Sequence, residues 1–472
     1  MLKKTVLALM ALMLVVAFQV WGAGSSSRTT QTTQPSKRNL GGMHVLIGTW
    51  GNSNYNPFTD TPGTEGGIRT LAWRKSMMEE YNFTMELKSL GPVGDIQQLA
   101  IASIMAGDPA ASVFTFQTNW VLPMVRQGLL YPISDNTVVD FRNPKPAQDS
   151  VLATEWSGST VDTFTFNGKG YAASIGMDTG ACEILWFNKR LFREAGLDPD
   201  LPYNMQKDGT WTWDNFLDIC RRLTRDTNND GIIDVYALAD SRILDYFLGP
   251  LALSNGASYI DKDSTGRFVL GATRPEFLEA LQFYLRLQNE GYIQPMPQGV
   301  AWTYGIDQFT LGNVAMLGCE LWIRADVDNN MQDDWGIVFF PKGPRASNYR
   351  VYSRDNVYVV PATFNAAQVD NILFAMDLWY SRLPENVAAS VPPYGWYRDS
   401  RSVDETLAMI QNLAYRVFKS ELLIPGFNRS NLVDSLSAQD YRGADPVQLV
   451  ERFAPTWNAL IRDVNAELFP NR

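Results

Sequence analysis

The sequence predicts an α/β protein with more than one lobe, on three grounds. Its 472 residues exceed what a single ordinary core holds. Strand-like and helix-like stretches alternate along its first third, the pattern of a parallel sheet with helical crossovers and a ligand crevice at the strand ends. Its 45% apolar content is that of a globular chain.

The N-terminus comes first. Met1-Leu2-Lys3-Lys4 is a short positive region, Thr5 to Val20 is almost wholly apolar, and the small residues Gly22-Ala23-Gly24-Ser25 follow. That layout predicts a signal peptide over residues 1–24, cleaved near Ala23. An uncleaved anchor is the competing reading, since the apolar run approaches spanning length; the small residues directly after it favour cleavage. No cysteine lies near that point, so a lipidated N-terminal Cys is excluded. The expectation is an exported, unlipidated, periplasmic protein. Residues 25–42 read as a flexible leader, because Ser25 to Arg38 is Thr/Gln-rich and without periodicity.

Structure is expected from Met43 onward. His44 to Trp50 reads as a buried strand ended by the turn Gly51-Asn52-Ser53-Asn54. A helix follows from Ile68 to Tyr81 after a Gly66-Gly67 break, then a strand from Phe83 to Leu87. Asp95 to Met105 is helical with Gly107 as its cap, Ala111 to Phe116 returns to strand, and Trp120 to Arg126 is a helix stopping at Gly128. A second α/β region opens near Gly180: Glu183 to Phe187 is strand-like, and Asn188 to Gly196 is a short helix with a Gly terminator. Thr212 and Asn215 predict a weakened capping box at the next helix start. Val314 to Leu317, Val338 to Phe340 and Asn356 to Val360 read as strands, and the last quarter as amphipathic helix. With no clean linker in the folded part, several short crossings are expected to join the lobes.

Composition excludes several functions. Acidic residues outnumber basic ones 50 to 40, a net charge of −10, which disfavours nucleic acid and anionic lipid. Losing Lys3 and Lys4 with the signal peptide leaves 38 basic against 50 acidic residues, a charge of −12. A single histidine, His44, rules out multi-histidine zinc sites and would have to serve as the base of any Ser-His-Asp or Cys-His site. Beside a strand it reads as structural. Cys182, Cys220 and Cys319 are far apart, form no CxxC, and predict three buried thiols. No GxSxG, Walker A, GxGxxG or HExxH motif is present.

Four blocks then carry a resemblance. Leu185-Trp186-Phe187-Asn188-Lys189-Arg190-Leu191-Phe192-Arg193-Glu194-Ala195-Gly196-Leu197 resembles an "LxYNKxLFxEAGL" segment, and Thr212 to Phe216 a "TWDEF" helix start. Phe309 to Met316 resembles "FxxGxxAM", with Trp322 six residues after the Met, and Trp335 to Pro344 resembles "WGVxPxPKGP". In this order and spacing, over roughly Met43 to Pro361, they resemble the carbohydrate-binding receptors of bacterial ABC importers, the broad class that includes maltodextrin-binding protein. The resemblance implies a two-lobed periplasmic-binding-protein fold with hinge strands and a central ligand cleft that closes on its solute. It implies an N-terminal lobe of residues 43–178 and 356–400, and a C-terminal lobe of residues 179–355 and 401–472. The implied partners are a carbohydrate ligand and the permease subunits of an ABC importer, with the receptor a monomer.

Candidate ligand contacts follow. Sugars present apolar C–H faces to aromatic rings and hydroxyls to polar groups. Trp186, Trp213 and Trp457 sit within regular patterns and are assigned to packing. Trp322 stands where a tryptophan of the resembled family faces the cleft. Trp50 closes a strand, Tyr394 and Trp396 lie in the loop Pro392-Pro393-Tyr394-Gly395-Trp396, and Asn52, Gln117 and Asp178 occupy strand-end positions suited to hydroxyls. No catalytic residue is nominated. With no motif singling out a carboxylate pair, binding without chemistry is the leading expectation; a secreted carbohydrate-cleaving enzyme and a receptor feeding a membrane sensor are the alternatives.

The segment Asp226 to Asp234 places oxygen donors at Asp226, Asn228, Asp230 and Asp234 with Gly231 at position six, as in an EF-hand calcium loop. It departs at position twelve, where Ala237 replaces the bidentate Glu. The favoured reading is a tight Asx-rich turn with no required cofactor, and calcium is the alternative.

Overall fold

The computed structural model describes residues 38–51, 54–62, 65–148, 151–176, 182–240, 245–353, 356–384, 397–436 and 444–469. The expected signal peptide and most of the leader, together with Asn52, Asp178, Tyr394 and Trp396, lie outside them.

The first sheet is built from β1 (Met43–Thr49), β2 (Phe83–Ser89) and β3 (Val113–Phe116), with α1 (Glu65–Tyr81), α2 (Val93–Met105) and α3 (Thr118–Arg126) as connections. β1 lies parallel to both β2 and β3, as the alternation predicts. Gly66 and Gly67 do not precede α1 but form part of its first turn. The first amides of a helix have no intrahelical partner, so glycine there costs little. Gly107 takes φ +78° just after α2, the left-handed conformation that ends a helix at little cost only with glycine.

The second sheet is assembled on β4 (Glu183–Asn188), which is wholly buried. α4 (Lys189–Glu194), α5 (Leu201–Asp208) and α6 (Trp213–Leu223) follow it, and Asn188 caps α4 by accepting from the Arg190 and Leu191 amides. β5 (Tyr236–Leu238), β6 (Val314–Glu320) and β7 (Trp335–Val338) complete it in the order β7-β4-β6-β5. β6 and β7 run antiparallel to β4, and β5 parallel to β6. Two local expectations fail here. The strand expected at Val338 to Phe340 lies earlier, because β7 pairs from Trp335 opposite Asn188 to Val338 opposite Leu185; Phe339 instead donates its amide to Gln206. The capping box at Thr212 does not form: that side chain makes no cap bond, and Asn215 donates to the Thr210 carbonyl.

β8 (Val351–Ser353) leads into β9 (Val357–Val359), which returns to the first sheet and pairs antiparallel with β3, so that sheet is not wholly parallel. α7 (Ala366–Tyr380) then packs on α1, its buried face joining the core around Val45, Met77 and Met85. The last quarter is less regular than its pattern suggests: short helical turns surround β10 (Arg416–Phe418), parallel to β8, before the long α8 (Ala454–Leu468). Asn465 on α8 bonds both the amide and the carbonyl of Phe268, fastening the last helix to the second core. Trp186, Trp213 and Trp457 are buried, as their patterns require.

Candidate functional site

Two strand ends carry the candidate residues. β6 finishes at Glu320, paired with Glu183 at the start of β4, and the chain turns at once into a short 3-10 segment, Leu321–Ile323. That turn puts Trp322 on the surface, 41% exposed, with its indole N–H donating to Glu320 Oε2 at 2.9 Å. The Tyr246 hydroxyl donates to the same oxygen at 3.1 Å, and Glu320 itself is buried. The acid is thus a fixed acceptor that orients the ring. Against Trp322 lies Trp302, 48% exposed, its ring centroid 5.9 Å away and its plane tilted by 45°.

On the first sheet, Trp50 directly follows β1 and is half-buried, meeting Trp120 edge-on at 5.8 Å. Gln117, also half-buried, joins β3 to α3 without making a cap bond. Both stand at the same ends of parallel strands, and the Trp50–Trp120 contact brings the two connections together. The ring partner of Trp50 is Trp120 and that of Trp322 is Trp302; among the described residues no ring contact links the two groups.

Beneath the second group lies a buried ionic network. Lys419 is bonded to Glu183, and Arg429 reaches Glu421 at 3.2 Å and Asp245 at 3.5 Å. Burial pushes the Glu183 carboxyl up to about 7 against the opposing pull of Lys419, and burial likewise raises Asp245. The network ties the C-terminal segment to the first residue of β4. His44, the second residue of β1, lies at the strand end opposite Trp50 and pairs its Nδ1 with Thr84 Oγ1. The three cysteines are buried free thiols, and burial raises Cys220 and Cys319 well above the usual range.

The Asp226 to Asp234 segment closes on its own donors. Asp226 accepts from the amides of Asn229 and Gly231, each at 2.7 Å, and Asn228 from Asp230 at 2.8 Å. Asp230 accepts from the Ile232 amide at 2.8 Å. Asp234 accepts from the hydroxyl and amide of Thr227, which hold its carboxyl below the usual range. Among the described residues, no group of three or more His, Cys, Asp or Glu is placed to hold a metal. Each of the four side chains nominated as calcium donors thus already serves a loop amide.

The sequence model of a family described as "Bacterial extracellular solute-binding protein" matches residues 71–369, most of the chain. The chain belongs to this family. Among solved structures, this solute-binding protein is similar to the cyclic alpha-maltosyl-1,6-maltose binding protein of Arthrobacter globiformis, with 14% identity over 90% of this chain and 100% of that one, and a TM-score of 0.60. It is similar to UgpB of Mycobacterium tuberculosis, crystallised with glycerophosphocholine (16% identity, 89% and 98% covered, TM-score 0.59). It is also similar to the maltotriose binding protein of Thermus thermophilus (20% identity, 89% and 99% covered, TM-score 0.53). No match was found among curated proteins. These likenesses show the two-lobed fold of periplasmic solute-binding proteins. Trp302, Tyr246 and the Glu183–Lys419 pair were not singled out from sequence. The Trp302 stretch, Gln294 to Trp302, holds two prolines and a glycine with no periodicity, and an unpatterned tryptophan in such a segment is the signal that could have found it.

Proposed function

We propose that this solute-binding protein captures a carbohydrate between its two lobes and delivers it to the membrane permease subunits of an ABC importer. The observation that carries this reading is Trp322: a large aromatic face left in water at the end of a central strand and held in orientation by a buried carboxylate. Such a ring covers the apolar face of a sugar, and binding supplies the burial that folding leaves out. Two similar structures, a maltotriose binding protein and a cyclic alpha-maltosyl-1,6-maltose binding protein, support a carbohydrate solute. Trp50 and Gln117 contribute from the first sheet, with Asn52, Asp178, Tyr394 and Trp396 as further contacts. The receptor performs no catalysis, acts as a monomer, does not bind nucleic acid, and works in the periplasm after its signal peptide is removed. The Asp226 to Asp234 turn keeps its shape without a required calcium ion.

A thermal-shift screen against mono- and oligosaccharides tests this reading. A solute present at a hundred times its Kd adds about 2.7 kcal/mol of stability. A library that shifts nothing, or a sugar that emerges cleaved, would overturn it.

A further inference from the structure

Of the chain's fourteen tryptophans, all but Trp21 and Trp396 are described, and of these only Trp302 and Trp322 are exposed. The two are neighbours. Trp302 lies just ahead of the helix Tyr304–Thr310, and that helix start is pressed against the residues following β5: a Cβ on Gly305 would stand 2.6 Å from the Asp240 carbonyl. A close backbone fit therefore positions Trp302 while its ring stays open. Two indoles clustered in water forgo roughly 25 cal/mol for each Å² of apolar surface they leave uncovered. Folded chains seldom cluster such surface without an occupant.

We infer that Trp302 is a second wall of the solute site, and that the solute offers two apolar faces in succession, as linked sugar rings do. The inference rests on the receptor reading above. Rings 5.9 Å apart cannot close on one sugar ring from both sides, because two van der Waals gaps of about 3.5 Å need roughly 7 Å. Each indole therefore offers one face. A monosaccharide seated on Trp322 leaves Trp302 in water; a longer solute covers both.

Glucose, maltose, maltotriose, tagatose and glycerophosphocholine are titrated into the full chain and its Trp302→Ala and Trp302→Phe variants, with affinity read by calorimetry and indole accessibility by acrylamide quenching. The expected result is at least tenfold tighter binding of maltotriose than of glucose, a gain lost in Trp302→Ala and largely kept in Trp302→Phe, with every variant folded and its melting temperature lowered by no more than about 8 °C. Bound maltotriose also shields the emission that Trp302→Phe lacks. Maltotriose binding that Trp302→Ala leaves unaltered, or that leaves Trp302 open to acrylamide, overturns the inference alone. So does tight binding of tagatose alone, which leaves the carbohydrate-receptor reading standing, whereas tight binding of glycerophosphocholine alone counts against the carbohydrate reading as well. Binding of none of the five counts against the receptor reading and this inference together.

Discussion

Replacing Trp322 by alanine separates a ligand contact from a core residue. The change removes a ring that is 41% exposed together with its bond to Glu320. A fully buried tryptophan truncated to alanine costs about 3–5 kcal/mol of stability; scaled to the part of this ring that is packed, the loss is about 2–3 kcal/mol. For a chain of this size that lowers the melting temperature by no more than about 8 °C. Glu320 keeps its bond from Tyr246, so the carboxylate is not left without a donor. Binding suffers more. Loss of a central aromatic anchor costs about 2–4 kcal/mol, roughly 30- to 1,000-fold in Kd. Trp322→Phe restores a ring face but not the N–H, and recovers most of the affinity if stacking dominates. Calorimetric titration with a sugar found by screening, and melting of the same three proteins, give both quantities. An alanine variant that binds as the wild type does while melting far earlier would show that Trp322 packs and does not bind.

Four further outcomes are expected. Small-angle scattering should show a smaller radius when a verified solute saturates the receptor; an unchanged radius would favour a rigid site over a closing one. N-terminal sequencing of the exported protein should begin between Gly22 and Ser26, whereas Met1 would refute cleavage. Chelation should leave the melting temperature unchanged, because the nominated donors of the Asp226 to Asp234 turn already bond loop amides; a large loss restored by calcium alone would reverse that view. Burial raises Glu183 to about 7, so the folded chain holds this proton more tightly than the unfolded one, and its contribution to stability falls as pH rises from the ordinary carboxylate range to about 7. Glu183→Gln should remove that part of the slope in melting curves; an identical slope in both proteins would place the titration elsewhere.

Sequence periodicity was a sound guide wherever one element buries one face. β1, β2 and β4 fall where their apolar runs stand, and Asn188 and Gly107 mark a helix start and a helix end by local chemistry alone. It failed where long-range pairing decides. β7 is placed by its register against β4, not by its own run of aromatics. The segment after Arg401 breaks into turns because its charged residues go inward, Lys419 to Glu183 and Arg429 to Glu421 and Asp245. Nothing local announces that a lysine and three acids will be buried. The site was legible in part for the same reason. Trp322 follows a strand end that motif spacing locates, whereas its contact with Trp302 is a meeting of two loops that no period encodes.

The clasp of Asn465 on Phe268 bears on the order in which the molecule can be completed. Two hydrogen bonds join residues 197 positions apart, and one partner lies within the last ten residues. The first sheet similarly waits for Val357–Val359. Contacts of such sequence separation form late, so each core is complete only when its distant segment has joined it.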